Sequence, residues 1–303
     1  MIAIVGSGRV GANVAVQIVT KELDDLTLID VAQNLPQGEA LDLQHMAASY
    51  GIDLKIKGTN DFSELGRADL IIVAAGFGRK PGQTRLDLMK QNSGIIASVS
   101  KEIAKYAKSS MVLMITNPMD AMTYVAHRVT GFPTNRVFGM GGMLDSCRFK
   151  SLLAQELGVS SKSLGVMVIG EHGESMVPLP RFSSVSGVAL EKFLSKKKMD
   201  EAVEMTRKIA AEVIALKGAT IYGPSASVAS MVDAIVNDRK SLMPASVYLN
   251  GEFGVSDIYI GVPAIIGRDG IERIVEVPLD EAERAIFLRG VTSLKDAIST
   301  LDL

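Results

Sequence analysis

The chain has 303 residues and a mass of 32.3 kDa, enough for about two domains. Its 32 Lys plus Arg against 34 Asp plus Glu leave a net charge of −2, which gives no global field for nucleic acid or an anionic membrane, so an anionic ligand needs a few placed cations. With 47% hydrophobic and 22% charged residues the composition excludes disorder, and the one cysteine, Cys147, excludes an intrachain disulfide framework and points to a reducing compartment.

The chain opens on Ile2-Ala3-Ile4-Val5 with no basic segment or cleavage site, so no signal peptide is expected. No apolar run approaches the roughly 18 residues of a membrane span. A soluble, cytoplasmic protein is therefore expected. Short β-branched runs at 2–5, 26–30, 54–57, 70–75 and 111–116 alternate with helical patterns, notably 10–20 and 86–108. Strand–helix–strand at this rhythm predicts a parallel α/β sheet. The runs 70–75 and 111–116 are apolar throughout, as strands covered on both faces should be. The rhythm changes at Gly139-Met140-Gly141-Gly142. A helix to about 157, a strand at 164–169, helices at 199–216 and 225–236, short strands within 241–277 and a final helix at 281–299 predict a second, α+β domain. The expected division is 1–140 and 141–303. Lys196-Lys197-Lys198 reads as a solvated helix start.

Gly6-Ser7-Gly8-Arg9-Val10-Gly11 follows the first strand and opens the first helix. The first glycine permits a tight turn, the second lets backbone approach a pyrophosphate, and the third lets helix and strand pack closely. The helix N-terminus offers free N–H groups to phosphates. Asp30 closes the second strand, where a carboxylate accepts from a ribose diol and repels a 2′-phosphate. In this order the parts predict a doubly wound Rossmann domain that binds NAD rather than NADP; a plain strand-end turn with a capping Asp is the alternative.

Three further segments bear on chemistry. The first is the loop Gly76-Phe77-Gly78-Arg79-Lys80-Pro81-Gly82-Gln83-Thr84-Arg85, which reads as a cationic flap at the carboxyl end of a parallel strand, suited to an acidic substrate. In Leu144-Asp145-Ser146-Cys147-Arg148, Asp145 and Arg148 share a helix face. The third, Ile169-Gly170-Glu171-His172-Gly173-Glu174-Ser175, sets His172 between glycines at a strand end, whereas His45 and His127 fall in helical patterns and read as structural or surface residues. An imidazole that titrates near neutrality suits reversible removal of a hydroxyl proton, and a nicotinamide would take the hydride.

In this order, with Thr116-Asn117-Pro118 between flap and helix, the motifs closely resemble the lactate/malate dehydrogenase family over nearly the whole chain. The resemblance implies a proton-transfer role for His172 with Asp145 as its partner. It implies that Arg148 clamps the C1 carboxylate, that Arg85 polarises the reacting carbonyl, and that Asn117 contacts substrate and cofactor. Asn92, Ile115 and Thr116 match cofactor-lining positions, and Thr220 matches the substrate-pocket wall. Arg79 stands where the family's malate enzymes carry Arg and its lactate enzymes Gln. The pattern is most similar to the lactate-dehydrogenase-like malate enzymes, which implies NAD-dependent exchange between (S)-malate and oxaloacetate, a dicarboxylate substrate, no metal, and a homo-oligomer, tetramer or dimer. A lactate or other 2-hydroxyacid dehydrogenase, or a non-catalytic NAD(H) sensor, are the alternatives. Glu174, often Asp in the family, and Gln83, often Met in its malate enzymes, depart from the pattern. Cys147 is expected to be buried, without a redox role.

Overall fold

The computed structural model describes residues 1–78 and 85–301, with the Arg85 side chain left aside. The first half runs β1 (Ile2–Val5), α1 (Arg9–Thr20), β2 (Leu26–Ile29), α2 (Leu35–Tyr50), β3 (Ile56–Thr59), β4 (Leu70–Val73), α3 (Arg85–Tyr106), β5 (Met111–Met114), α4 (Met119–Thr130) and β6 (Val137–Gly139). Then follow α5 (Gly142–Leu157), β7 (Leu164–Gly165), β8 (Val168–Gly170), β9 (Met176–Pro178), β10 (Ser184–Val185), β11 (Val188–Ala189), α6 (Lys196–Lys217), α7 (Tyr222–Val236), β12 (Ser241–Asn250), β13 (Ser256–Gly267), β14 (Gly270–Ile274) and α8 (Glu281–Ile298).

The first six strands pair in parallel in the order β3-β2-β1-β4-β5-β6, the doubly wound arrangement expected. Alternation along each strand explains it. Ile2 and Ile4 of β1, Leu70 and Ile72 of β4, and Leu113 of β5 enter the core on one face. Ala3, Val5, Ile71, Val73, Val112 and Met114 enter the core on the other. Both faces must then be covered by helices, which is what the uniformly apolar runs require. Each buried Ile, Leu or Val contributes roughly 1.5–3 kcal/mol.

The sheet does not stop at β6. Gly139 pairs antiparallel with Ser246 of β12, and β13, β8 and β9 continue the same sheet, with β14 on β13. The expected short strands of 241–277 are thus mainly a long hairpin, with turns at Gly251 and at Arg268–Gly270. The strand expected at 164–169 is split into β7 and β8, which belong to different sheets. The helix α2 carries no clear apolar stripe. Pro36 sits in its first turn, where a missing N–H costs nothing, and only Pro36, Ala40, Leu43 and Ala47 are buried. No helix among the described residues is long and apolar enough to cross a membrane.

Candidate active site

The glycine turn does at each position what its spacing asks. Gly6 lies at φ +102°, and a Cβ there would stand 2.6 Å from the Ala75 backbone. A Cβ on Gly11 would collide with the Gly6 carbonyl, so this glycine seats α1 on β1. Gly8 is different: a Cβ there would meet nothing within 4 Å. The protein itself does not demand glycine at position 8, but a phosphate approaching the backbone would. Helix α1 has no side-chain cap, so its first N–H groups are open to an anion. Arg9 is exposed and Val10 half-buried beside it. The Ser7 hydroxyl is buried without a protein partner. An orphaned hydroxyl, open space at Gly8 and an uncapped helix fit a dinucleotide pyrophosphate.

Asp30 follows β2 directly. Its Oδ2 accepts the Ser7 N–H at 2.6 Å and its Oδ1 the Ala32 N–H at 2.9 Å, which ties the carboxylate to the glycine turn. Asn60 donates to the Asp30 carbonyl and sets the strand end.

At the next strand ends, Thr116 donates to the Ala75 carbonyl at 2.7 Å. Asn92 of α3 is fully buried and accepts the Phe77 N–H at 2.9 Å. Its amide nitrogen donates to the Phe77 and Asn117 carbonyls at 3.0 and 2.7 Å. Asn92 therefore ties together the turn after β4 and the turn after β5. Ile115 is buried in that turn and Asn117 is exposed, preceding a cis peptide bond to Pro118. Arg79 and Gln83 lie outside the described residues. Arg85 is the first residue of α3.

The third group comes from the second half. Asp145, in the first turn of α5, is 1% exposed. Its Oδ2 meets His172 Nδ1 at 2.7 Å, and its Oδ1 accepts from Arg148 at 2.9 Å. His172 and Arg148 keep 14% and 13% exposure, so each still reaches solvent. The glycine run at 139–142 makes this approach possible. A Cβ on Gly141 would lie 2.9 Å from the His172 Cβ, and one on Gly142 would lie 2.7 Å from the Val168 carbonyl. Thr220 is half-buried in the link from α6 to α7, just ahead of Gly223, which packs on Leu144 beside Asp145.

The His172 imidazole holds its proton more firmly than a free one. Burial is the largest effect and opposes the charge, but the charge and hydrogen bond of Asp145, with the charge of Asp120, outweigh it. Asp120 was not singled out in the sequence. It accepts the His172 backbone N–H at 2.8 Å and the Ser246 hydroxyl at 2.6 Å. An Asp in a first helical turn reads as an ordinary dipole partner, and nothing local signals these contacts. Cys147 corrects the expectation of burial: it is exposed, on the side of α5 away from Phe149 and toward Ser227. Burial of the neighbouring α5 face is met by Leu144, Phe149 and Leu153.

A parallel sheet with an anion-receptive glycine turn at one strand end, and a carboxylate-braced imidazole beside an arginine, defines a nicotinamide-dependent dehydrogenase. Residues 1–139 match the model for the lactate/malate dehydrogenase NAD-binding domain, and residues 142–302 match that for the lactate/malate dehydrogenase alpha/beta C-terminal domain. A malate dehydrogenase of Aeropyrum pernix is 46% identical over 302 residues, 99% of this chain and 98% of that one, and its solved structure superposes with a TM-score of 0.96. A malate dehydrogenase of Methanosarcina barkeri is 45% identical over 100% of this chain and 99% of its own. A Cryptosporidium parvum lactate dehydrogenase, solved with lactic acid and β-nicotinamide adenine dinucleotide, is 35% identical with a TM-score of 0.95, covering 99% of this chain and 97% of its own. The chain belongs to the lactate/malate dehydrogenase family.

Proposed function

We propose that this protein is an NAD-dependent malate dehydrogenase that interconverts (S)-malate and oxaloacetate. The likeness carrying this reading is the identity of 41–46% to proteins named malate dehydrogenase, along nearly the whole of both chains. The lactate dehydrogenase neighbour superposes about as well, so backbone shape does not separate the two substrates. Arg79 does, by its chemistry.

On this reading residues 1–140 hold cofactor and residues 141–303 supply the substrate side. Gly6, Ser7, Gly8, Arg9, Val10 and Gly11 would receive the pyrophosphate, Asp30 the adenine ribose, and Asn92, Ile115, Thr116 and Asn117 the nicotinamide end. The nicotinamide, when bound, takes or gives the hydride. His172 takes the hydroxyl proton at Nε2. Its Nδ1–H is committed to Asp145, which leaves Nε2 as the acceptor and stabilises the imidazolium. In reduction the same proton returns to the substrate oxygen. Arg148 spends one N–H on Asp145 and has others for the C1 carboxylate. Arg85 would polarise the carbonyl, with Asn117 and Thr220 completing the pocket.

A four-carbon diacid brings a second carboxylate into a closed site. Without a cationic partner its desolvation costs several kcal/mol, about 4, and Arg79 offsets that. With pyruvate the guanidinium would be buried unpaired. Steady-state kinetics with NADH test the reading. Oxaloacetate should be the more efficient substrate, and Arg79→Gln should move the ratio toward pyruvate. A wild-type efficiency with pyruvate equal to that with oxaloacetate would reject the malate assignment. NADH binding without turnover of any 2-keto acid would favour a sensor.

The reaction fits a step of the tricarboxylic acid cycle in the cytoplasm. A homo-oligomer, tetramer or dimer, is consistent with exposed apolar side chains such as Leu41 on α2 and Ile214 and Leu216 on α6. Sedimentation of the pure protein tests this.

A further inference from the structure

Asp120 is a buried charge that the proposed chemistry leaves without a task. It sits in the first turn of α4, 2% exposed, shortly after Asn117. Its two oxygens serve two other elements: Oδ2 accepts the His172 backbone N–H at 2.8 Å, and Oδ1 accepts the Ser246 hydroxyl of β12 at 2.6 Å. A carboxylate out of water is costly even when hydrogen-bonded. An Asn could accept from His172 and donate to Ser246 at lower desolvation cost. The hydrogen bonds alone thus do not call for a negative charge.

The charges around it supply a reason. His172 and Glu171 face Asp120 from the loop after β8, and Ser246 faces it from β12. Beyond the imidazole stand Asp145 and Arg148 of α5. Glu171 is a like charge and disfavours ionisation, whereas a protonated His172 favours it. The imidazolium is thus a nearby cation that favours the Asp120 charge through space, from a loop whose backbone Asp120 holds. His172 is gripped from two sides, its ring by Asp145 and its backbone by Asp120. The three elements that meet here, α4, β12 and the His172 loop, belong to both halves of the chain.

We propose that Asp120 is a second positioning carboxylate for His172, which fixes the loop backbone at the His172 N–H and supports with its charge the imidazolium formed when the substrate hydroxyl gives up its proton. This rests on the acid–base reading of His172 given above. Burial raises Asp120 to about 6, with the bonds from Ser246 and the His172 N–H pulling it back. As pH falls through that value Asp120 takes a proton, and the imidazolium loses this support.

The test reads His172 directly. The chain has three histidines, so imidazole NMR titration is tractable, with His172 assigned by the signal missing in His172→Asn. Asp120→Asn keeps both contacts possible and removes the charge. His172 is expected to titrate about one unit lower than in the wild type, with His45 and His127 unmoved. kcat should fall about tenfold or more, its pH limb should move with the NMR value, and the KM for NADH should hold. A folded Asp120→Asn protein with an unmoved His172 titration, or with unmoved kcat and pH limb, overturns the proposal. If Asp120→Asn does not fold, Ser246→Ala gives the second reading. Loss of one donor makes Asp120 protonate at higher pH, so His172 should shift the same way by less, and an unmoved titration overturns the proposal. Turnover retained in His172→Asn would instead reject the acid–base reading itself, and the NMR coupling distinguishes that outcome.

Discussion

His172 carries the pH behaviour of the site. Burial works against its charge, yet Asp145 and Asp120 together leave its pKa raised. Reduction of a keto acid consumes a proton from the imidazolium. The rate of reduction should therefore persist as pH rises past about 6.5, the free imidazole value, and fall only through the raised pKa. Oxidation, which needs neutral imidazole, should rise across the same limb. A reduction limb centred below the free value, in pH profiles of kcat/KM, would contradict the geometry. His172→Asn should lower turnover about a thousandfold or more with NADH affinity kept. Linkage has the same sign: the raised His172 adds stability that is fully present below about 6.5 and lost as pH rises through its folded value.

Asp120 runs the other way. Its pKa is raised from 3.8 to about 6, so the folded protein binds a proton there that the unfolded chain has released. Stability is lost as pH rises between those values and stays lower above them. Asp120→Asn is thus predicted to stabilise the protein above pH 6 by on the order of 3 kcal/mol, while it impairs turnover. Urea unfolding at pH 5 and pH 8 measures this, and a gain no larger at pH 8 than at pH 5 would oppose it.

Among the elements, the turn after β4 shows how backbone is held for chemistry. Gly76, at φ +144°, leaves no room for a Cβ, which would lie 2.6 Å from the Thr116 side chain. One residue on, Asn92 pairs with both backbone groups of Phe77 and with the Asn117 carbonyl. The family resemblance implies a cofactor-lining position for Asn92. The three protein bonds give it a second task, since they join the turn after β4 to the turn after β5. Asn92→Ala would remove three hydrogen bonds made by a fully buried amide. We expect a stability loss of about 3 kcal/mol by urea unfolding and a higher KM for the keto acid. Unchanged values for both would show that neither turn depends on the amide. The helix α2 marks the opposite limit of local reading. Its early Pro36 and Gly38 look like breakers, and its sparse apolar residues become a buried face only against β2, β3 and α1.

For the whole molecule, one sheet crosses from the parallel half to the antiparallel half at the pairing of Gly139 with Ser246. His172 and Asp145 come from the second half, Asp120 and the glycine turn from the first. Ligand bound at the glycine turn should therefore stabilise the molecule as a unit. NADH at a hundredfold its Kd should add about 2.7 kcal/mol to unfolding and raise Tm in a single transition. NADPH at equal concentration should do less, because Asp30, fixed by the Ser7 and Ala32 N–H groups, repels a 2′-phosphate. An equal or larger shift with NADPH in a thermal scan would contradict that role for Asp30.

What could be read before folding was local in character. The glycine spacing, the Asp at the end of the second strand, the apolar runs and the isolated His172 each announce themselves over a few residues, because turns, strand periods and helix ends are short-range matters. Those motifs were enough for the doubly wound sheet and for the family. The tertiary structure decided what depends on distant partners. Asp120 acquires its place from residues 52 and 126 positions away, Asn92 from backbone groups on two other turns, and Cys147 its exposure from how α5 lies against its neighbours. A side chain's type is written in the chain, but which groups desolvate it and which bond to it is set only when the layers pack.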